Sequence, residues 1–266
     1  MEENKQNPVE NSEIFQKEEI ITKNNSTNNL NGVISAIIIA GVLIAGAILL
    51  KGNSAPRNDG ISVTSLAPVT TEDRVIGDKK AKVTVVMYED FQCIFCGAAS
   101  GLQPDSSQTI KYLKQKVDPN WEPFMPVILD DVKNGTAQFV YRDYPFLGPE
   151  SVQSAEAARC AQDQGKFWEY HDYLFAHQNG ENKGAFSDVN LKSFAKTLGL
   201  DPTIFGKCLD EGKYATAVTG SKTEGDHAGV TGTPKGFILK DGKIVSTIDG
   251  AEPASMVKQK IDAALK

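Results

Sequence analysis

Two short apolar runs with a helical segment between them mark the middle of the chain. The first, residues 83–88, has the apolar and β-branched content of a buried strand and leads directly to Cys93 and Cys96. The second, residues 137–141, predicts another strand by its β-branched and aromatic residues. The pattern therefore indicates a βαβ unit whose first strand delivers two cysteines to the first turn of a helix.

The stretch between these two strands is predicted to be irregular. Four prolines interrupt its helical pattern, and three large apolar side chains lie in its middle. The prolines are Pro104, Pro119, Pro123 and Pro126, and the apolar residues are Trp121, Phe124 and Met125. The apolar side chains either pack locally or form a surface that grips a peptide.

From residue 149 to about 225 the apolar positions recur at helical spacing. One predicted helix face carries Phe167, Trp168, His171, Leu174 and Phe175. Asp201 and Pro202 then supply an N-cap and a proline at the first helical position of a further helix. We therefore predict an all-helical insertion over about 147–226, in which His171 is a hydrogen-bonded core residue rather than a ligand.

Strand signals return after the helical block. Residues 237–239 and 243–248 are apolar runs joined by Asp241 and Gly242, a pair typical of a two-residue hairpin turn. A last helix is predicted over Ala254–Leu265. This order of elements indicates one α/β layer with an all-helical insertion.

An uncharged apolar stretch over residues 32–50 precedes the predicted domain of residues 72–266. At 1.5 Å per residue its 19 residues approach the roughly 30 Å of a bilayer core, so we expect a transmembrane anchor. A cleaved signal peptide is the alternative, although its apolar run is usually shorter. Residues 1–31, rich in Asn and Glu, are predicted to be a disordered tail, and residues 51–71 a flexible linker.

Length and charge narrow the classes of function. A chain of 266 residues with 40% hydrophobic content can bury one ordinary core, and its four cysteines are too few for a dense disulfide scaffold. The net charge of -6, without a Lys and Arg stripe, argues against binding to nucleic acid. Acidity of this size says nothing positive about the substrate.

The Cys93-Ile94-Phe95-Cys96 motif is the strongest chemical signal in the sequence. Two intervening residues let both sulfurs close into one ring, and the N–H groups at a helix start favour a thiolate. Cys93 is therefore predicted to be the acidic, attacking sulfur of a redox dithiol. The spacing would also suit half of a zinc site, but such sites usually show a second close Cys or His pair, which this sequence lacks.

Three segments, taken with the order of predicted elements, resemble the DsbA family of thioredoxin-fold disulfide oxidoreductases. They are Tyr88-Glu89-Asp90-Phe91-Gln92-Cys93, Gln164-Gly165-Lys166-Phe167-Trp168 and Gly229-Val230-Thr231-Gly232-Thr233-Pro234. The resemblance covers roughly residues 72–266 and is greatest to a single-anchored bacterial branch. It implies that Pro234 is a cis-proline facing the dithiol, and that the backbone of Thr233 pairs with an extended client peptide.

The resemblance also implies partners and a location. Its clients would be reduced exported proteins, its reoxidant a membrane quinone-linked enzyme, and no bound cofactor would be needed. Because disulfides are made where thiols are not kept reduced, we expect the tail in the cytoplasm and the catalytic domain outside a single membrane span. The alternatives are a disulfide reductase or isomerase, and an anchored peptide-binding holdase whose cysteines are a passive staple.

Two departures from the family pattern bear on Cys93. Ile94 stands where family members usually carry proline, which removes a fixed backbone angle and adds an N–H group beside the sulfur. Lys235 and Gly236 follow Pro234 where the family prefers Thr and an aromatic residue. Lys235 would either stabilise the Cys93 thiolate or point to water.

A third departure concerns a buried acid that relatives often have six residues before the first cysteine. Met87 occupies this position here, and Glu89 lies two residues further along the same strand face. Glu89 is a candidate proton acceptor for Cys96. The alternative is a solvated carboxylate at the end of the strand.

Cys160 and Cys208 fall on different predicted helices of the insertion. Some members of the resembled family pair cysteines at similar places, which implies a structural disulfide. Two buried free thiols that pack as small apolar groups are the alternative.

Overall fold

The computed structural model describes residues 66–103 and 107–266. The predicted tail (1–31), the predicted anchor (32–50) and the predicted linker up to residue 65 lie outside the described residues.

No helix in the described ranges is long and apolar enough to cross a membrane. The longest, Pro149–Gln162, has 14 residues and covers only about 21 Å of a bilayer core of roughly 30 Å. This finding contradicts the single-pass membrane localisation that was expected from the sequence, so that expectation is withdrawn.

A five-stranded mixed sheet forms the centre of the described structure. Its strands are β1 (Arg74–Ile76), β2 (Val83–Glu89), β3 (Ala137–Asp143), β4 (Lys235–Lys240) and β5 (Lys243–Asp249). They lie in the order β1-β3-β2-β4-β5. β2 and β3 are parallel, as the predicted βαβ unit requires, and the other neighbouring pairs are antiparallel.

The central strand β2 is apolar on both faces because both faces are covered. Val85 and Met87 belong to one buried cluster, whereas Val86 and Tyr88 belong to another. A strand buried on both sides has a continuous apolar sequence rather than an alternating one. This explains why β2 is so easily recognised from the sequence.

Nine helices surround the sheet in the part of the chain that the structure describes. They are α1 (Ile94–Ser100), α2 (Gln108–Lys116), α3 (Met125–Lys133), α4 (Pro149–Gln162), α5 (Phe167–His177), α6 (Asp188–Thr197), α7 (Pro202–Asp210), α8 (Ala215–His227) and α9 (Ala254–Leu265). Helices α4 to α8 follow one another without an intervening strand, so they form the predicted helical insertion.

The segment between β2 and β3 contains α2 and α3, so the prediction of an irregular stretch was wrong. Pro119 lies between these helices, and Pro126 falls in the first turn of α3, where a missing N–H breaks no helical hydrogen bond. Trp121, Phe124 and Met125 are buried, with at most 4% of each side chain exposed. These apolar side chains therefore pack locally.

The predicted hairpin is confirmed. Asp241 and Gly242 connect β4 to β5 and have positive φ angles of 50° and 73°. A two-residue turn with positive φ at both positions matches the twist of the strands that it joins.

His171 lies in the core between the insertion and the sheet, as predicted. Its ring centroid is 5.6 Å from that of Phe91 and 5.0 Å from that of Tyr141. Its Nδ1 lies 2.8 Å from a carboxylate oxygen of Asp172. The insertion therefore packs against β3 and against the turn that leads from β2 to the cysteines.

A disulfide joins Cys160 in α4 to Cys208 in α7, 48 positions later in the sequence. Both cysteines are buried. The bond ties the first helix of the insertion to the fourth.

Replacing both Cys160 and Cys208 by alanine should lower the free energy of unfolding by up to about 4 kcal/mol, because the bridge restricts the unfolded chain. Urea denaturation of the full chain measures this loss. The matched control replaces Cys93 and Cys96 by alanine, which leaves the bridge intact. Equal midpoints for the two double variants would contradict the expectation.

Candidate active site

The dithiol lies where β2 passes into α1. Cys93 is the N-cap of α1, and its Sγ accepts a hydrogen bond from the backbone N–H of Cys96 at 3.4 Å. Cys93 is 5% exposed and Cys96 is fully buried. Both are free thiols. A reagent arriving from solution therefore meets Cys93 first.

The carboxylate of Asp90 fixes the turn before Cys93. It accepts hydrogen bonds from the backbone N–H of Gln92 at 2.8 Å and from the hydroxyl of Ser151 at 2.7 Å. It also accepts from the backbone N–H of Phe146 at 2.9 Å. The turn that carries the dithiol is thus attached to the start of the helical insertion.

The start of β4 lies beside the end of β2, because these strands pair antiparallel with Tyr88 opposite Lys235. Thr233 and Pro234 immediately precede β4 and are joined by a cis peptide bond. The Cys93 thiol donates a hydrogen bond to the Thr233 carbonyl oxygen at 3.3 Å. The structure thus brings the dithiol and the Thr233-Pro234 segment together.

The two sulfurs differ in acidity. The pKa of Cys93 is lowered, chiefly because the Cys96 thiol donates a hydrogen bond to its sulfur. The backbone N–H groups of Phe95 and Cys96 at the start of α1 lower it further, whereas burial raises it. Burial raises the pKa of Cys96 well above its usual value, and the adjacent Cys93 thiolate raises it further. Of the two thiols of the reduced dithiol, Cys93 therefore loses its proton first and Cys96 keeps its proton.

Glu89, the last residue of β2, is a buried acid. It is 1% exposed, and neither of its carboxylate oxygens has a hydrogen-bond partner among the described residues. Burial, followed by the charge on Cys93, raises the pKa of Glu89 to about 8. The side chain is therefore protonated at neutral pH. The alternative of a solvated strand-end carboxylate is wrong.

Met87 and Gly236 face each other across β2 and β4. A Cβ atom at Gly236 would lie 2.5 Å from the Met87 sulfur. The large residue at the position of the expected acid therefore fits against a residue without a side chain. Met87 and Gly236, which both depart from the family pattern, are therefore coupled: the Met87 side chain fills the space that a side chain at position 236 would need.

Lys235 is held by Asp249 on the neighbouring strand β5, with which its ammonium group forms an ion pair. Its Nζ atom lies 5.4 Å from the centroid of the Phe237 ring. The contacts of Lys235 are thus with β4 and β5, and no hydrogen bond or ion pair joins it to Cys93. This geometry gives no support to the predicted tuning of the thiolate by Lys235.

An apolar groove of about 350 Å³ adjoins Thr233. Its walls include Phe95, Tyr112, Val117, Pro253 and Met256. Tyr112, Val117 and Met256 are 51%, 53% and 45% exposed. Exposed apolar side chains around one concave site indicate a binding surface. This groove was not predicted from the sequence. Tyr112 lies in α2 and Val117 follows it, and both fall in the stretch that was expected to be irregular.

Cys93 and Cys96 do not belong to a metal-binding cluster: no group of three or more His, Cys, Asp or Glu side chains in the described ranges could hold a metal ion.

A family model described as thioredoxin matches residues 69–111 and 122–262, which is more than half of the chain. The chain belongs to the thioredoxin family. The fold expected from the sequence, with its helical insertion, is confirmed.

Solved structures of DsbA-type proteins share this fold. BdbD from Bacillus subtilis, in its oxidised form, has a TM-score of 0.57 and 21% identity, covering 74% of this chain and 95% of that one. The thiol-disulfide exchange protein alpha-DsbA2 from Wolbachia pipientis has a TM-score of 0.52 and 22% identity, covering 72% and 86%. The chain therefore has the fold that its resemblance to the DsbA family implied.

Part of the chain also matches a curated relative that is named as an antiporter. The Na(+)/H(+) antiporter NhaA 1 of Salinispora arenicola is 33% identical over 184 residues, which are 68% of this chain and 24% of that protein. The chain thus spans about a quarter of the length of this relative.

The Glu89→Gln variant should lack the loss of stability that the wild type shows as pH rises. The pKa of Glu89 is about 8 in the folded protein against an ordinary value of 4.5, so the folded state binds more protons than the unfolded state between these values. The unfolding free energy of the wild type should therefore fall as pH rises through this window, by a few kcal/mol in total.

Urea denaturation at a series of pH values measures this effect. The stability advantage of Glu89→Gln over the wild type should grow from about pH 4.5 to about pH 8. Glu181→Gln, at an exposed position, is the control. A pH-independent difference between Glu89→Gln and the wild type would show that Glu89 is not a buried, protonated acid.

Proposed function

We propose that this protein is a thiol-disulfide oxidoreductase that introduces disulfide bonds into reduced proteins exported from the cytoplasm. The unequal acidity of the two sulfurs carries the proposal. A stabilised Cys93 thiolate stabilises the reduced dithiol, and a disulfide whose reduced form is stabilised is an oxidant. Reductases and isomerases use the same pair of cysteines, but a first cysteine with a lowered pKa favours oxidation of clients.

The reaction begins with the Cys93–Cys96 disulfide. A client thiolate attacks the Cys93 sulfur, so that a client–Cys93 bond forms and the Cys93–Cys96 bond breaks with its electron pair on Cys96. Glu89, protonated near neutral pH, supplies the proton that the buried Cys96 thiolate needs.

A second client thiolate then attacks the client sulfur of the mixed disulfide. The client disulfide forms, and Cys93 leaves as a thiolate that the start of α1 stabilises. The two client sulfurs have lost two electrons, and the Cys93–Cys96 disulfide has gained them and become a dithiol. The exchange occurs entirely between sulfur atoms, so it needs no bound cofactor.

Client recognition is assigned to the Thr233-Pro234 segment and the adjoining groove. An extended client can pair its backbone with the chain at Thr233, next to the Cys93 sulfur. Apolar client side chains would then enter the groove formed in part by Tyr112 and Met256. Unfolded proteins expose both of these features.

Each turnover leaves the dithiol reduced, so a second enzyme must remove two electrons. We assign this step to a quinone-linked oxidase that exchanges its own disulfide with Cys93. Cys93 is the sulfur that such a partner can reach, because Cys96 is fully buried.

Cys93→Ser should abolish disulfide transfer, because the attacked sulfur is missing. Cys96→Ser should instead accumulate mixed disulfides with clients, because the sulfur that resolves them is missing. Non-reducing electrophoresis of cells that express each variant makes the comparison. A Cys96→Ser protein that traps no client would contradict this division of roles, and full function of Cys93→Ala would favour a peptide-binding holdase.

Tyr112→Asp should weaken client binding without affecting exchange with a small thiol. A charge in the groove opposes burial of apolar client side chains, so KM for a reduced unfolded protein should rise on the order of tenfold. The rate with glutathione should not change. Val189→Asp, which replaces another exposed apolar residue outside the groove, is the matched control. Equal loss of rate with both substrates would exclude the groove as the client site.

A further inference from the structure

A side chain from the helical insertion reaches the turn that carries the dithiol. Gln178 directly follows α5. Its Nε2 group donates one hydrogen bond to the Phe91 carbonyl oxygen at 3.2 Å and a second to the Cys93 carbonyl oxygen at 3.3 Å. One amide thus bridges two backbone carbonyls on either side of Gln92, about 85 residues earlier in the chain.

The first turns of α1 leave room for this amide only because residue 97 is glycine. A Cβ atom at Gly97 would lie 2.3 Å from the Gln178 Nε2 atom and 2.7 Å from its side-chain carbonyl carbon. Neighbouring atoms cannot approach this closely. The close contact between Gln178 and α1 therefore depends on the missing side chain.

A second residue of the same loop holds the intervening residue. The Asn182 backbone N–H donates to the Gln92 side-chain oxygen at 2.5 Å, and the Asn182 amide donates to the Leu147 carbonyl at 2.6 Å. Each of residues 91–93 is thus hydrogen-bonded to the loop after α5. The position of the dithiol turn depends on the insertion as well as on β2.

The contacts of Gln178 affect the charge on Cys93 through the backbone. A carbonyl oxygen carries partial negative charge, and those of Phe91 and Cys93 belong to the turn that carries the thiolate, so N–H donors that bind them reduce their unfavourable effect on it. The Gln178 amide supplies two such donors. It also fixes the orientation of the N-cap residue, on which the helix N–H groups act.

We propose that Gln178 is a positioning residue of the dithiol, whose amide holds the turn 91–93 and increases the fraction of Cys93 that is present as thiolate. The inference rests on the proposed function, because it gives the helical insertion a role in setting the oxidising power of the site. Gln178 does not itself touch the reacting sulfur atoms.

Titratable groups near Cys93 either act on it directly or have partners of their own. Cys96 and Glu89 act on it directly, whereas Asp90 is held by the hydrogen bonds of its turn and Lys235 by Asp249. His177, next to Gln178, stacks on Tyr173 with ring centroids 3.8 Å apart. Gln178 has no proton to lose, so its replacement by leucine leaves the number of titrating groups unchanged.

The test measures the rate of alkylation of the reduced full chain by iodoacetamide as a function of pH. Cys93 is the sulfur that reacts, because Cys96 is fully buried and the other two cysteines form a disulfide. Gln178→Leu should lower the acid dissociation constant of Cys93 about three- to tenfold, as expected for the loss of hydrogen bonds near a charge. Gln178→Glu should lower it further, because a carboxylate cannot donate and adds negative charge.

Gln103→Leu is the matched control. Its amide also donates to a backbone carbonyl, that of Phe175 in α5, but makes no contact with the dithiol turn. The acid dissociation constant of Cys93 in the Gln103→Leu variant should equal that in the wild type. If Gln178→Leu does not fold, Gly97→Ala, which displaces the Gln178 amide from the other side, should give the same direction of change.

Two results would overturn the inference. One is a wild-type dissociation constant in Gln178→Leu or, where that variant is unfolded, in Gly97→Ala. The other is an equal change in Gln103→Leu, which would show a general effect of loosening the insertion. Either result leaves the trapping of clients by Cys96→Ser unaffected, so a failure of this inference is distinguishable from a failure of the proposed function.

Discussion

The antiparallel pairing of β2 with β4 is the constraint on which the site depends. The register that sets Tyr88 opposite Lys235 brings the end of one strand, where the cysteines follow, beside the start of the other, which the Thr233-Pro234 segment precedes. The Cys93 sulfur consequently lies 3.3 Å from the Thr233 carbonyl oxygen. A slip of one residue would turn the side chains of β2 to the opposite face and separate these groups.

Different surroundings give the two sulfurs different chemistry. Cys93 lies at a helix start, where hydrogen bonds favour its thiolate, while Cys96 lies in the core, where burial favours its thiol. Glu89 shares the buried environment of Cys96 and holds its proton to a pKa of about 8. Cys93 keeps a small exposed area, 5%, whereas Cys96 and Glu89 are almost completely buried.

Much of this arrangement was predictable from the sequence, because it depends on local patterns. The buried run of β2, the two-residue turn at Asp241 and the spacing of the cysteines each follow from neighbouring residues. Helices α2 and α3 were not predicted, because prolines that lie between helices or in a first turn resemble helix breakers. The state of Glu89 and the contacts of Gln178 depend on burial and on chain segments far apart in sequence, which leave no periodic signal.

The equilibrium of the full chain with reduced and oxidised glutathione tests the central claim most directly. The stabilised Cys93 thiolate predicts a reduction potential well above that of thioredoxin, which is about −270 mV, so that the dithiol stays reduced in buffers that oxidise thioredoxin. A potential near the thioredoxin value would contradict the account and indicate a reductase.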